Sequence, residues 1–562
     1  VYCWYSTGHE IFGGPVLKRI LFLLIIFLSV LKSQGYKNYP FDWSDHFGLI
    51  TQNGSVMWNE DWTSGILFFD GTFTHYPKRF GSAISYDFAI ARPGKFFKTQ
   101  NTLDSSYVDS RIKYTQGDYF LDMLTLTANF SDGIRLITWN GFKKTYGGPY
   151  GQYILSTIKP IQQSYLLRYQ TDRINLAIGH FITSSGIPDT STNGSMSDRI
   201  LNASIQVHGS VGNWDWQLHG SQYNQKYNIQ HSSLSMPESN YLTRTRIQGK
   251  LIRKISGDKG IYAGFEGNIQ GLSNSARFRS RDWGIVFTGL AWQNFTLAGG
   301  AVAISNEITP YFQTKYQNQN TQGGIVIEMN NKPKPVHILF WSAVEDSLAF
   351  ENWQSLSFNT WKSIFQLTFH GKIFFTNAKE INQCQINSGL DRSINKAEPN
   401  IRGGEIGIRW SGFRNWVFSG SFRHVIEPSI ITDGIGDWLD FRITGKEKIF
   451  KRNMKVSFTV GLTGWLNRDP AISFDPFVGI PLKVIDSAYR LGDRWILQAE
   501  VAAKVASLTV TWRMNNVFRS LQPILGIVPE EESWITTNYM MHNEQRQLGR
   551  LMEIVIDWYF LD

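Results

Sequence analysis

From Arg550 to Asp562 the chain alternates with period two. Met552, Ile554, Ile556, Trp558 and Phe560 fall on one face of an extended strand, and Glu553, Val555, Asp557 and Tyr559 on the other. An amphipathic strand at the end of a chain is an unpaired edge, and such edges template aggregation. Closing the sheet on itself removes the edge, because the last strand then pairs with the first. A closed wall with lipid outside and water inside gives each face its own solvent. It also seats the terminal rings at the membrane–water boundary. The ending therefore predicts a transmembrane β-barrel with Met552, Ile554, Ile556, Trp558 and Phe560 toward lipid.

Composition agrees with that reading. Hydrophobic residues make up 42% of the 562, and the mean hydropathy is −0.23. A helical membrane protein is far more apolar, since each span needs about 20 apolar residues. Barrel strands alternate, so their average is unremarkable. The aromatic content is high at 14%, with 20 Trp, 23 Tyr and 38 Phe, and aromatic girdles at the two interfaces would use it.

One apolar run, from Ile20 to Leu31, follows Lys18 and Arg19. It is too short for a span and suits the core of a secretory signal peptide, with Ser33 and Gly35 as the small residues before cleavage at Tyr36. The expected organisation is an upstream extension (1–17), a signal peptide (18–35) and an outer-membrane barrel (36–562). Of two cysteines, Cys3 and Cys384, only Cys384 lies beyond the leader, so no intrachain disulfide is expected. The net charge of +9 is dispersed among strands. A nucleic-acid binder concentrates its basic residues, so that class is excluded.

The clearest hairpin runs from Leu201 to Gly220. Leu201, Ala203, Ile205 and Val207 alternate with Asn202, Ser204, Gln206 and His208. Beyond Gly212-Asn213, Trp214, Trp216 and Leu218 alternate with Asp215, Gln217 and His219. A two-residue turn pairs Val207 with Leu218 and His208 with Gln217, so both faces agree across it. The same grammar carries Leu124, Leu126, Ala128 and Phe130 through Asp132-Gly133 to Ile134 and Leu136. It carries Trp283, Ile285 and Phe287 through Trp292-Gln293-Asn294 to Phe295 and Leu297. Ile406, Ile408 and Trp410 lead through Ser411-Gly412 to Trp416 and Phe418. Leu497, Ala499, Val501 and Ala503 turn near Ala506 to Leu508, Val510 and Trp512.

A β-sandwich also alternates, but a chain this long would need several of them joined by linkers. No Pro/Ser-rich linker or composition break interrupts it. The fold class is thus all-β, a single antiparallel barrel. Short periplasmic turns are expected near 78, 132, 171, 212, 256, 293, 333, 362, 413, 450 and 506. Long extracellular loops are expected at 183–197, 228–240, 305–322, 376–400, 467–490 and 519–548. Both termini on one side then give about 24 strands, or about 22 without the turn at 78 or at 362, within a range of about 20–24.

Leu508-Thr-Val-Thr-Trp512 leads through Asn515-Asn516-Val517-Phe518, Asn538-Tyr539-Met540-Met541 and Gly549-Arg550 to Asp557-Trp558-Tyr559-Phe560. This closing hairpin resembles that of TonB-dependent receptor barrels. It is also similar to the end of the plugless "putative porin" family of Bacteroidetes-type bacteria. Tyr114-Thr-Gln-Gly117, Tyr146-Gly-Gly-Pro-Tyr150 and Ser164-Tyr165-Leu-Leu-Arg168-Tyr169 resemble those porins as well. The resemblance implies an outer-membrane barrel delivered by the barrel-assembly machinery through its last strand. Receptor barrels carry a plug domain ahead of the wall. Here hairpin grammar begins at Phe47-Gly-Leu-Ile50, which leaves no room for one.

Catalytic and metal-binding patterns are absent from the sequence: no Gly-x-Ser-x-Gly elbow, His-Glu-x-x-His, Cys-x-x-Cys or P-loop occurs. No catalytic, cofactor or metal site is expected. Polar strand faces instead make Arg135, Gln206, His208, Gln217, His219, Glu405, Arg409, Arg423, Gln498, Glu500, Arg513, Glu553 and Asp557 the candidate lining of the bore. The arginines favour anions and the carboxylates oppose them, so the sign of selectivity stays open. Two functional classes follow. One is a porin-like channel for passive diffusion of small hydrophilic solutes. The other is a plugless scaffold or partner barrel in a secretion, export or TonB-linked uptake assembly, with a plugging or assembly partner.

Overall fold

A computed structural model describes residues 36–40, 48–52, 55–56, 106–148, 160–186, 195–230, 239–256, 259–274, 277–304, 307–317, 324–333, 350–386, 392–413, 415–429, 434, 436–469, 472–475, 480–484, 493–518 and 549–561. Among these residues, 22 strands form one closed antiparallel barrel. The wall starts with Ser106–Gly117 and ends with Leu551–Leu561. These two pair with each other from Glu553 opposite Gly117 to Leu561 opposite Asp109, so no edge remains. Every other wall strand pairs with its predecessor and successor in the wall. In lipid this arrangement satisfies each backbone N–H and C=O inside the wall.

The wall begins later than the sequence suggests. Gly48–Gln52 pairs with Tyr36–Pro40 and with Ser55–Val56 in a small separate sheet. Among the described residues the first wall strand is Ser106–Gly117, so the strand grammar at Phe47-Gly-Leu-Ile50 belongs to this small sheet and not to the wall. The leader reading of 1–35 and the turn at 78 lie outside the described residues. A second small sheet joins two of the long connections: Ile381–Ile386 pairs with Arg392–Ala397, and in parallel with Ile480–Val484, which pairs with Ile472–Asp475.

Ten connections lie on the rim that holds both ends of the wall: 133–135, 171–173, 212–213, 257–258, 293–294, 318–323, 365–366, 414–415, 450–453 and 506–507. Nine correspond to turns expected from the sequence. The turn expected at 333 does not form there, because Gly324–Pro333 is a strand whose exit lies on the opposite rim. The span 305–322, expected as one long loop, contains the strand Glu307–Gln317. Local chemistry makes the short turns. The Asp132 carboxylate accepts N–H donors from Ile134 at 2.9 Å and Arg135 at 2.6 Å, and Gly133 and Gly212 have positive φ, 83° and 58°.

Register fixes the faces. In the hairpin of Ser195–Val211 and Trp214–Gln230, Val207 lies opposite Leu218 and His208 opposite Gln217, as the sequence pattern requires. Leu201, Ile205, Trp216 and Leu218 are exposed on the outer face, whereas Gln206 and His219 are buried on the inner one. The strand Phe278–Trp292 departs from expectation. Its turn has two residues, so Trp292 meets Phe295 and Leu290 meets Leu297. Trp283, Ile285 and Phe287 consequently turn inward, while Val286, Leu290 and Trp292 are exposed outside. Inside the wall they cluster with Tyr262, Ala298, Val302, Ile304 and Tyr311.

Many aromatic rings lie over a cross-strand glycine. Phe287 is paired with Gly264 and Tyr262 with Gly289; Phe265 is paired with Gly249 and Trp216 with Gly209. A Cβ at Gly264 would lie 2.4 Å from the Phe287 ring, and one at Gly289 2.3 Å from the Tyr262 ring. The glycines provide flat seats for rings on a pleated surface. Aromatic content thus has a use along the wall as well as at the interfaces.

Candidate functional site

The inner face of the wall has two chemically different arcs. Along the first, Gln170, Asn175, Gln206, His219, Gln248 and Glu266 stand opposite one another in register across successive strands. None is more than 6% exposed. Glu266 gathers donors from its own strand and the one before: Arg246 Nη2 at 2.9 Å, Gln248 Nε2 at 3.3 Å and Asn268 Nδ2 at 2.8 Å. Arg168 donates to Asn175 and Gln170 at 3.1 and 2.8 Å. The row continues into Ile285 and Val302 of the apolar cluster. This arc is shielded from solvent.

The second arc is open and lies around the closing seam. Arg513 bridges two carboxylates there, with Nε donating to Glu500 at 2.7 Å and Nη1 to Glu553 at 2.6 Å. Four residues along the last strand from Glu553, toward the short-turn rim, Arg111 clamps Asp557 with both Nε, at 2.7 Å, and Nη2. On the other side of the Arg513 pair is a cavity of about 380 Å³. Its charged lining is Lys113, Lys144, Arg442, Arg513, Glu500 and Glu553. Four cations face two anions, and both anions are held by Arg513.

The candidate lining residues distribute unevenly over these arcs. Gln206, Gln217 and His219 belong to the shielded arc, and His208 is half-buried beside Gln217. Gln498, Glu500, Arg513 and Glu553 meet at the cavity. Glu405 and Arg423 oppose each other elsewhere on the inner face, with Arg423 buried, and Arg409 is exposed on the same strand as Glu405. Arg135 is not on the wall. Asp132 folds 133–135 into a turn, where the exposed Arg135 lies 3.9 Å from that carboxylate. On the last strand Ile554, Ile556 and Trp558 are exposed on the outer face, Met552 and Phe560 are half-buried there, and the Trp558 and Phe560 rings lie 4.5 Å apart.

Sequence reasoning missed Lys113, Thr115, Lys144 and Arg442. Lys113 precedes Tyr114-Thr-Gln-Gly117 and Thr115 lies within it, yet nothing local ties them to the last strand. Lys113 lies opposite Asp557 only because the barrel closes. Among the described residues no group of three or more His, Cys, Asp or Glu is placed to hold a metal ion.

No family model matches this sequence, and no curated protein does. Solved structures do. The FrpB iron transporter from Neisseria meningitidis (F3-3 variant) superposes with a TM-score of 0.58 at 10% identity, over 81% of this chain and 82% of that one. The copper transporter OprC gives 0.59 at 11%, over 83% and 82%. The ferripyoverdine receptor of the outer membrane of Pseudomonas aeruginosa gives 0.54 at 11%, over 81% and 72%. The chain has the fold of these proteins, a large closed antiparallel β-barrel. Its likeness to these proteins is one of fold, since identities near a tenth carry no site chemistry.

Proposed function

We propose that this outer-membrane barrel takes up a recognised solute through a bore that does not stand open. The observation that carries the reading is the shielded inner arc, from Gln170 to Glu266 and on to Val302. Barrels of about 16–18 strands leave an aqueous channel, whereas those of about 22 have a bore wide enough to require filling. A diffusion pore would leave its polar lining wet around the circumference. The likeness to iron and copper transporters supports the same reading. Under it, 18–35 directs export, the last strand presents the chain to the assembly machinery, and a partner that powers or fills the bore completes the system.

A second reading, passive diffusion of small hydrophilic solutes, is favoured by the open arc beside the seam. Planar-bilayer recording of the purified full chain separates the two. Uptake through a filled bore predicts no long-lived porin-sized conductance steps. Regular steps in every insertion would replace this proposal with the diffusion reading. Copurification from native membranes with a stoichiometric partner would support the uptake assembly.

A further inference from the structure

We infer that the cavity at the closing seam binds a small oxyanion, a carboxylate- or phosphate-bearing solute, between Lys113 and Arg442. The inference rests on the reading that solutes enter the bore, and it names their chemistry. Three observations carry it. First, the acids lining the cavity are already engaged, and its four cations outnumber its two acids. Glu500 and Glu553 are both bound by Arg513, and nearby Asp557 is bound by Arg111. Second, Lys113 and Arg442 line the cavity, and among the described residues neither forms an ion pair with a carboxylate. Third, Thr115 lines the same cavity at 2% exposure, and its Oγ1 has no hydrogen-bond partner. A buried hydroxyl left without a partner is costly, and a polar ligand in this cavity would satisfy it.

The chemistry of the remaining lining fits an anion. Thr444, Thr459, Gln498 and Asn515 provide neutral hydroxyl and amide donors around the two cations. Charge-assisted hydrogen bonds from ammonium and guanidinium groups to oxyanions are the strong ones, and a guanidinium can offer two in parallel. A volume of about 380 Å³ is at the small end of the range for small-molecule sites, roughly 300–1,000 Å³. It is large enough for a phosphate or a short dicarboxylate, so charge and not size makes the selection. A neutral sugar would leave both cations unmatched.

The test is isothermal titration calorimetry on the full chain in detergent at low salt, with inorganic phosphate, succinate and glucose as probes. Phosphate or succinate should bind one per barrel, and the preferred probe identifies the class. Glucose should not bind. Lys113→Gln and Arg442→Gln should each weaken binding about tenfold, the size of one charge-assisted hydrogen bond. Thr115→Val should weaken it a few-fold, and Arg442→Lys should retain most of it. At about 1 M salt, where the screening length falls to about 3 Å, binding should largely disappear. Heat-modifiable migration on gels confirms that each variant is a folded barrel.

Absence of binding by both anions, or binding indifferent to Lys113→Gln and Arg442→Gln, overturns the inference. Failure of the uptake reading looks different. A barrel that binds phosphate but conducts like an open porin keeps this site and loses that mechanism.

Discussion

Glu266 shows what a single side chain does inside this wall. It accepts from Arg246, Gln248 and Asn268 in a region closed to solvent. Removing one partner of a buried ion pair costs about 3–5 kcal/mol, because the other charge stays desolvated. Glu266→Gln should therefore lower the urea midpoint, followed by tryptophan fluorescence, by an amount equivalent to several kcal/mol. A midpoint within error of the parent would show that the Arg246 pair is not part of the wall's stability. Arg513, more exposed than Glu266, holds two acids at once. Alternation in the sequence identified Glu500, Arg513 and Glu553 as inner-face residues. It could not identify Lys113 or Arg442 as their neighbours, because Lys113 joins them only across the closing seam and Arg442 only through the register of three successive strand pairs.

At the scale of the strand, one residue of turn length decides which face is which. Between Trp292 and Phe295 the turn has two residues, with Gln293 at φ 50°. A three-residue turn would send Trp283, Ile285 and Phe287 to lipid, and the apolar pattern alone permits either outcome, since Val286, Leu290 and Trp292 are equally apolar. The pairing with Tyr262–Gly289 and Phe287–Gly264 resolves it by packing rings over bare backbone. Filling that seat should be costly. Gly264→Val should displace the Phe287 ring and destabilise the barrel by about 1–3 kcal/mol, the usual range for overpacking. Phe287→Ala in the Gly264→Val background should recover part of the loss in a double-mutant cycle. Simple additivity would refute the ring-over-glycine account. Where only one face is apolar, as in Leu201–Gly220, the register was legible from the residues.

At the scale of the molecule, closure joins strands from opposite ends of the chain. The seam consists of the ladder from Glu553–Gly117 to Leu561–Asp109, the Arg111–Asp557 clamp, and Asp118, whose N–H donates to the Met552 carbonyl and whose carboxylate accepts from the Met552 N–H, each at 2.9 Å. A chain lacking 551–561 leaves two unpaired edges in lipid, where unsatisfied backbone groups cost several kcal/mol each. It should fail to give a heat-modifiable folded band in membrane fractions. Recovery of that band at parental levels would show that closure does not depend on this strand.

The sequence by itself determined the period of the strands, the solvent on each side of most of them, the positions of nine short turns and a strand number close to 22. These are local properties. Backbone geometry sets alternation, and turn residues set reversals within a few positions. The tertiary structure alone decided where the wall starts, which way Phe278–Trp292 faces, which arc of the bore is shielded and which cations gather at the seam. Those depend on register carried from strand to strand around a closed ring, where a slip of one residue exchanges inside for outside. Closure then makes neighbours of residues that no local pattern connects.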